Sequence, residues 1–380
     1  MSKINIRSPY FVYDNSTTSV GSSPLAYATL NLWIYTGAKD TNKTGTPTYT
    51  LTATAIDGEV NFEISDFVSG YITSTFNGEE YSTDAPWVNY EVVRIYEDES
   101  SDTPAQTVLS AFDGYGYFED GSNPQNSQTP LQSNTKIYTN DFSNINIPVH
   151  VAEDISVTYI KDGDSIFTKS ITSTTNSADQ IEYVSNSALD YDVFYTRVIE
   201  DGGEVEAFSC VKDIADGVYQ EFDADKIYIE KGGVVEVITV EEIEECKYTP
   251  YKITFVNKFG ALQDVWFFKR SNLSMNTQKE SYKKTMVSGG TYSINKGQDT
   301  IFNKNATQTL SLNTGFYPEE YNEVFRQLYL SENIWIGFEG KTLPVTIKSQ
   351  SFNYKTRLND KLINYTIDIE FGFDKINNIR

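Results

Sequence analysis

The sequence predicts a mainly β protein: tandem β-sandwich (immunoglobulin-like) domains followed by a C-terminal β domain with one packed α-helix. Three observations carry this. Near the C-terminus, Ile363, Tyr365, Ile367, Ile369, Phe371 and Phe373 occupy every second position, with Asn364, Thr366, Asp368, Glu370 and Gly372 between them. Such alternation marks a strand with one buried face. Turn dipeptides recur between alternating apolar runs, at Asp57-Gly58, Asp162-Gly163, Gly202-Gly203 and Gly232-Gly233, the pairs that tight hairpins require. Finally, 27 Tyr and 22 Phe, in a chain rich in Thr, Ser and Asn, favour strands and turns over helices.

In chain order, Met1 to Pro148 reads as an N-terminal β-sandwich domain. Its strand candidates are Ile4 to Tyr13, Tyr27 to Tyr35, Thr48 to Ile56, Glu59 to Ile64, Val88 to Tyr96 and Thr107 to Phe112, with one helical turn near Ile64 to Tyr71. The Asp113 to Thr135 stretch is a long loop that opens with Tyr115, Tyr117 and Phe118 among glycines and acids. Loops of that length inside a domain are functional or mobile, so these three aromatics are candidates for a contact surface.

Val149 to Lys247 reads as a second, immunoglobulin-like β domain, about the size of a small sandwich but without its Cys…Trp…Cys spacing. Tyr248 to Arg380 is the third. Tyr251 to Val256 and Asp264 to Lys269 form a hairpin, and the consecutive apolar residues Val265 to Phe268 imply burial on both faces. Thr309 to Asn313 and Ile334 to Ile336 are shorter strands. The one convincing helix runs from Pro318 to Leu330, with proline at its first position and Glu319, Glu320 and Glu323 in or near its first turn. Tyr321, Val324, Phe325 and Leu328 make a single apolar stripe. Leu343 to Tyr354 and Ile363 to Phe373 are expected to pair as long strands, joined by Leu358-Asn359-Asp360, with a bulge near Ser349 to Ser351. Their apolar face should receive the helix.

Charge divides the chain. Of the 53 acidic residues, 41 fall in Met1 to Pro250 against 13 Lys/Arg, while Tyr251 to Arg380 holds 12 acids and 17 Lys/Arg; the whole carries −23. An acidic body is thus joined to a mildly basic C-terminal third, which implies at least good solubility and at most an acidic partner for that third. Two cysteines, Cys210 and Cys246, are too few for a disulfide scaffold and imply a reducing site of synthesis, with the thiols unpaired. No signal-peptide core and no apolar run of membrane-spanning length occur.

No catalytic, cofactor or metal site is assigned. The single histidine, His150, sits in a short apolar strand, and no Gly-x-Ser-x-Gly elbow accompanies it. One His and two Cys cannot build a zinc site of the usual kind. Phosphate-binding and dinucleotide-binding glycine motifs are missing. Asp162-Gly-Asp164 and Asp223-Ala-Asp225 do not continue into a calcium loop and read as turns. Many acids offer possible glycosidase pairs, but nothing singles one out. Lys269, Arg270, Lys279, Lys283 and Lys284 cluster after the apolar hairpin and read as a solvated or subunit-facing loop before a phosphate-binding one.

Three C-terminal stretches carry a family likeness: Lys247 to Lys269, with Asp264-Val-Trp-Phe-Phe-Lys269; Leu312 to Leu328, with Tyr317-Pro-Glu-Glu-Tyr-Asn-Glu-Val-Phe325; and Leu362 to Arg380, with Phe371-Gly-Phe-Asp374. Asp113 to Gly121 and Ile4 to Tyr10 add to it. These segments resemble virion proteins of tailed phages of Bacteroidota, including the crAss-like phages. The resemblance covers the C-terminal third well and the rest in patches, and contains no catalytic motif. It implies a structural tail or neck protein, a homo-oligomeric ring around the DNA channel. Such a protein is assembled in bacterial cytoplasm, contacts other tail, portal or neck proteins, and meets DNA only as passing cargo, with no membrane partner. The candidate assembly residues are Trp266, Phe267, Phe268, Tyr321 and Phe325, with Tyr115, Tyr117 and Phe118. The competing readings are a carbohydrate-binding adhesin or head fibre, which needs Tyr115, Tyr117 and Phe118 as an exposed platform, and a tail-associated glycan hydrolase, which needs two carboxylates facing across a groove.

Overall fold

A computed structural model describes residues 3–17, 23–37, 39–78, 81–83, 86–124, 136–139, 146–150, 155–171, 181–185, 211–213, 218–219, 225–231, 233–287, 289–349, 351–354 and 362–376. The chain is mainly β, with several sheets and one short C-terminal helix. It divides into two compact units. One comprises Met1–Glu244 with Thr254–Val265, the other Glu245–Ile253 with Trp266–Arg380. The stretch Met1–Glu244, within which the boundary at Pro148 is expected, carries distinct sheets. No helix of the described residues is long and apolar enough to cross a membrane.

In the first unit, a six-stranded sheet runs in the order Lys3–Asn5, Thr107–Phe112, Trp87–Tyr96, Leu25–Tyr35 and Tyr49–Thr54, with Ser101–Asp102 added beside Trp87–Tyr96. Alternate residues Ala28, Leu30, Leu32 and Ile34 are buried, and with Ile4, Phe62, Ile64, Val68, Val88 and Val92 they form the core. The expected strand from Ile4 to Tyr13 is two strands, because Lys3–Asn5 pairs in parallel with Thr107–Phe112 while Phe11–Asp14 pairs with Val60–Glu63. The Asp57-Gly58 turn forms, but its flanks stay together for one bridge only, Ile56 to Glu59. Beyond it one strand joins the six-stranded sheet and the other turns to Phe11–Asp14. The helical turn expected near Ile64 is the Ser65–Ser69 helix.

An ionic cluster ties three of these strands. Arg94 Nε donates to Asp14 Oδ2 at 2.6 Å and its Nη1 to Asp102 Oδ2 at 3.3 Å, while the Tyr96 hydroxyl donates to Asp102 Oδ1 at 2.8 Å. Burial opposes ionisation of Asp14, but the Ser16 N–H and hydroxyl and the Arg94 guanidinium outweigh it, and its carboxyl lies below its ordinary value.

A five-stranded sheet follows in the order Lys136–Thr139, Val234–Glu242, Lys226–Lys231, Ile155–Lys161 and Asp164–Ile171. Its buried residues alternate as Val157 and Tyr159, Ile227 and Ile229, Ile238 and Val240. The hairpin expected at Asp162-Gly163 is present with both residues at positive φ, 52° and 96°, the backbone of the twisted two-residue turn. Lys231 and Val234 close the hairpin at Gly232-Gly233; Gly202-Gly203 lies outside the described residues, as does Asp223-Ala224. His150 ends the Asn146–His150 strand, opposite Ile181.

In the second unit five strands run in the order Ile334–Phe338, Lys341–Ile347, Thr366–Phe371, Asp299–Asn313 and Asn272–Lys283. In the second unit, Leu310, Leu312, Val345, Ile363, Tyr365, Ile367, Ile369 and Phe371 are buried. Phe373 ends the alternation outside the core, 45% exposed. The Asn322–Leu330 helix buries Val324, Phe325 and Leu328, and Tyr321 just before it. Phe325 meets Tyr365 with ring centroids 5.0 Å apart, so helix and terminal strands share one core as expected.

Three details differ from the sequence reading. The terminal alternation is not one eleven-residue strand: Leu362–Ile363 pairs with Tyr317–Pro318, and Thr366–Phe371 lies between Asp299–Asn313 and Lys341–Ile347. Between the two pieces Tyr365 is bonded to Thr314 through its backbone N–H and carbonyl, which interrupts the ladder without changing the apolar phase. Pro318 is extended, with ψ 152°, and the helix starts through a 3-10 turn at Glu319–Tyr321. The upstream partner stops at Ile347; Phe352 then turns back to stack on Tyr365 at 5.1 Å, which explains the phase change. The joining turn Leu358-Asn359-Asp360 lies outside the described residues.

Candidate functional site

Four of the five C-terminal candidate residues are core residues. Phe267 and Phe325 are fully buried, Phe268 and Tyr321 nearly so, and Trp266 is half-buried. Phe267 meets Phe325 edge-on at 6.3 Å, Phe268 meets Tyr317 at 5.7 Å, and Tyr321 meets Tyr317 at 4.6 Å. The Tyr317 hydroxyl donates to the Trp266 carbonyl at 2.7 Å. These aromatics pack where a helix lies on a sheet.

The aromatic loop also splits. Tyr115 is buried, with the Arg7 guanidinium 4.8 Å from its ring centroid. Tyr117 is half-buried and takes the Lys258 ammonium over its ring at 4.4 Å; Lys258 also pairs with Asp120 at 3.4 Å. Phe118 alone of the three is fully exposed. The loop is held from several sides. Asn123 bonds both the N–H and the carbonyl of Phe11, Asn5 Nδ2 donates to the Pro124 carbonyl at 2.7 Å, and the Tyr115 N–H donates to the Lys258 carbonyl at 2.9 Å. Lys258 lies in the Thr254–Val265 tip, which belongs to the same unit as the loop. Gly260 in that tip has φ +80°, and a Cβ there would lie 2.9 Å from the Asp113 nitrogen, so only glycine fits the approach. A three-ring exposed platform does not form; as far as Pro124 the loop is a packed surface element that presents one phenylalanine.

The exposed aromatic and aliphatic residues gather elsewhere. The Asn272–Lys283 strand, expected as part of a basic loop, is a strand with all twelve residues exposed. It pairs along its length with Asp299–Asn313, of which the sequence indicated only Thr309 to Asn313. At about 3.4 Å per residue the shorter strand spans roughly 40 Å. Among the described residues only its base is supported: Thr309 to Asn313 pairs with Thr366–Phe371, and Lys375 N–H reaches the Ala306 carbonyl at 2.7 Å. From the Lys279–Lys304 pair outward, among the described residues, the hairpin is a two-stranded arm. Tyr282, Val287, Tyr292, Ile294, Ile301 and Phe302 are all exposed on it, Ile294 to 88%, and Leu273 and Met275 are exposed at its base. A bulge between Glu280 and Ser281 sets Phe302 against Tyr282, with centroids 6.2 Å apart.

The arm is not legible in the sequence because neither of its faces is buried, so no alternation is imposed on it. Its one signal is Gly289-Gly290 between two long stretches of Asn, Thr and Ser without proline. The basic residues Lys279, Lys283 and Lys284 lie on it, and Lys269 instead pairs with Glu245 at 2.5 Å. Burial pushes the Tyr10 phenol up to about 12 and raises Tyr159 as well, so neither ionises near neutral pH. No three acidic, His or Cys side chains of the described residues converge as a metal site. Cys246 is a free, exposed thiol; Cys210 lies outside the described residues. No protein family model matches the chain, and no curated protein matches it either.

Proposed function

We propose that this chain is a structural, non-enzymatic virion protein of a tailed phage, assembled in many copies as a ring in the tail or neck around the DNA channel, where it docks neighbouring tail proteins. The observation that carries the reading is the Asn272–Lys283 edge strand. Among the described residues this twelve-residue exposed strand bears apolar side chains and lacks a neighbour on one side. Such an edge is a liability for a protein that works alone in solution and an asset for one that assembles. The likeness of the C-terminal third to phage virion proteins supports the same reading, as does the mainly β architecture. The adhesin alternative loses its motivating feature, since Tyr115 is buried and Phe118 stands alone in the loop.

Native mass spectrometry of the purified chain, and a reconstruction of the tail that contains it, test the proposal. A closed ring of identical copies is expected. One copy per particle, or a chain that remains monomeric at all concentrations, would overturn it.

A further inference from the structure

The exposed arm calls for a partner on physical grounds. A two-stranded hairpin is marginally stable at best in water, yet here one extends past its supporting strands with Tyr282, Ile294, Ile301 and Phe302 exposed. Its register adds a second cost. Lys279 stands directly opposite Lys304 across the ladder, and both lie on the exposed arm. Like charges facing each other in a strand pair are destabilising, and among the described residues no carboxylate pairs with either. Between Lys279 and Lys304 the arm carries five lysines against Glu280 and Asp299 only.

The chain itself supplies the opposite charge. Met1 to Pro250 carries 41 acidic residues against 13 basic ones. We propose that the arm is the connector between subunits and docks on the acidic N-terminal unit of a second copy of this chain, with carboxylates of that copy seated at the Lys279–Lys304 pair. This rests on the reading of the protein as a multi-copy assembly and names its contact. The contact is head-to-tail, arm to N-terminal unit, and such contacts generate rings when the rotation between copies closes. A nucleic acid is the other anionic occupant. It is disfavoured by the net charge of −23, which repels phosphates, and by the apolar residues of the arm, for which a phosphate backbone has no use.

The test mixes light and ¹⁵N-labelled full-length chains and joins them with a zero-length amine–carboxylate coupling reagent. Linked peptides are read by mass, and assembly is followed by sedimentation. The same measurements are made on the double variant Lys279→Glu/Lys304→Glu, whose substitutions lie outside any core, with circular dichroism as the folding control. Support consists of mixed-label links from arm lysines to acids of Met1–Glu244, and of self-association weakened by about tenfold or more in the variant at low salt. If the wild type assembles and the variant assembles equally well, with links lying elsewhere, the arm proposal fails while the ring reading stands. If the wild type is monomeric, the ring reading fails and the arm proposal with it. Salt-sensitive binding of the wild type to duplex DNA that the variant loses would assign the arm to nucleic acid and overturn the proposal.

Discussion

Replacing Ile367 with Asp tests the core of the C-terminal unit and the phase of its strand together. Ile367 is fully buried opposite Leu312, and its neighbour Asp368 is half-buried on the other face, opposite Ser311. Removing the isoleucine side chain forfeits about 2–3 kcal/mol of apolar burial. The new carboxyl has no polar partner built for it, so it is buried unpaired or takes up a proton, which adds several kcal/mol. The total, on the order of 5 kcal/mol or more, approaches the stability of a whole domain.

The sign of the pH dependence is fixed. A carboxyl whose folded pKa is raised is neutral in the fold while the unfolded chain ionises above about pH 4, so destabilisation grows as pH rises toward the folded pKa. Every tenfold weakening of the folded acid relative to the unfolded one costs about 1.4 kcal/mol once pH exceeds both pKa values. Urea unfolding of the full chain, followed by circular dichroism at acidic and neutral pH, should therefore show the variant less impaired in acid. Asp368→Ala should cost little at either pH, because the backbone bonds at 368, to Ser349 Oγ and from Lys348 N–H, survive it. If Asp368→Ala is the more damaging, or if Ile367→Asp is equally impaired at both pH values, the side chain does not face the core and the phase is wrong. Limited proteolysis of Ile367→Asp should leave Met1–Glu244 and the Thr254–Val265 tip protected, since those residues form a separate unit.

Two further outcomes follow from the first unit. Gly260→Ala forces a side chain into the Asp113 backbone at a positive φ and should cost about 1–3 kcal/mol, read as a thermal midpoint lowered by roughly 2–4 °C per kcal/mol; an unchanged midpoint would show that the tip does not pack as described. Asp14 ionises more readily in the fold than in the unfolded chain, so its contribution is full above about pH 4 and is lost as pH falls through the depressed folded value. Asp14→Asn should accordingly cost about 1–3 kcal/mol at neutral pH and should blunt the acid-induced loss of stability below about pH 4; a variant as acid-sensitive as the wild type would place the titrating group elsewhere.

Local chemistry wrote a good part of this protein into its sequence. Thr107–Phe112 and Tyr251–Val256 begin and end where their apolar and β-branched residues do, because runs buried on both faces are written in residues that favour strands, and Thr366–Phe371 is legible because burial of one face imposes a period of two. The Asp162-Gly163 turn is legible because few residues tolerate the backbone it needs, and the Tyr321–Leu328 stripe because a helix on a sheet must bury its apolar face at helical spacing. What tertiary structure alone decided were matters of partnership. Nothing near Asp57-Gly58 says that its two strands part after a single bridge; that depends on Leu25–Tyr35 and Phe11–Asp14, far away in the chain. Tyr115 and Phe118 are similar letters three positions apart, one packed under Arg7 and one in solvent, and only the loop's long-range bonds separate them. That Phe267, Phe268 and Phe325 are to be buried is legible in their spacing; which rings meet, Phe267 edge-on to Phe325 and Phe268 against Tyr317, only the fold decided. The arm is the converse case: with no buried face it left no periodic trace, and its strands exist because Thr366–Phe371 holds their base in register, a pairing that no local pattern records.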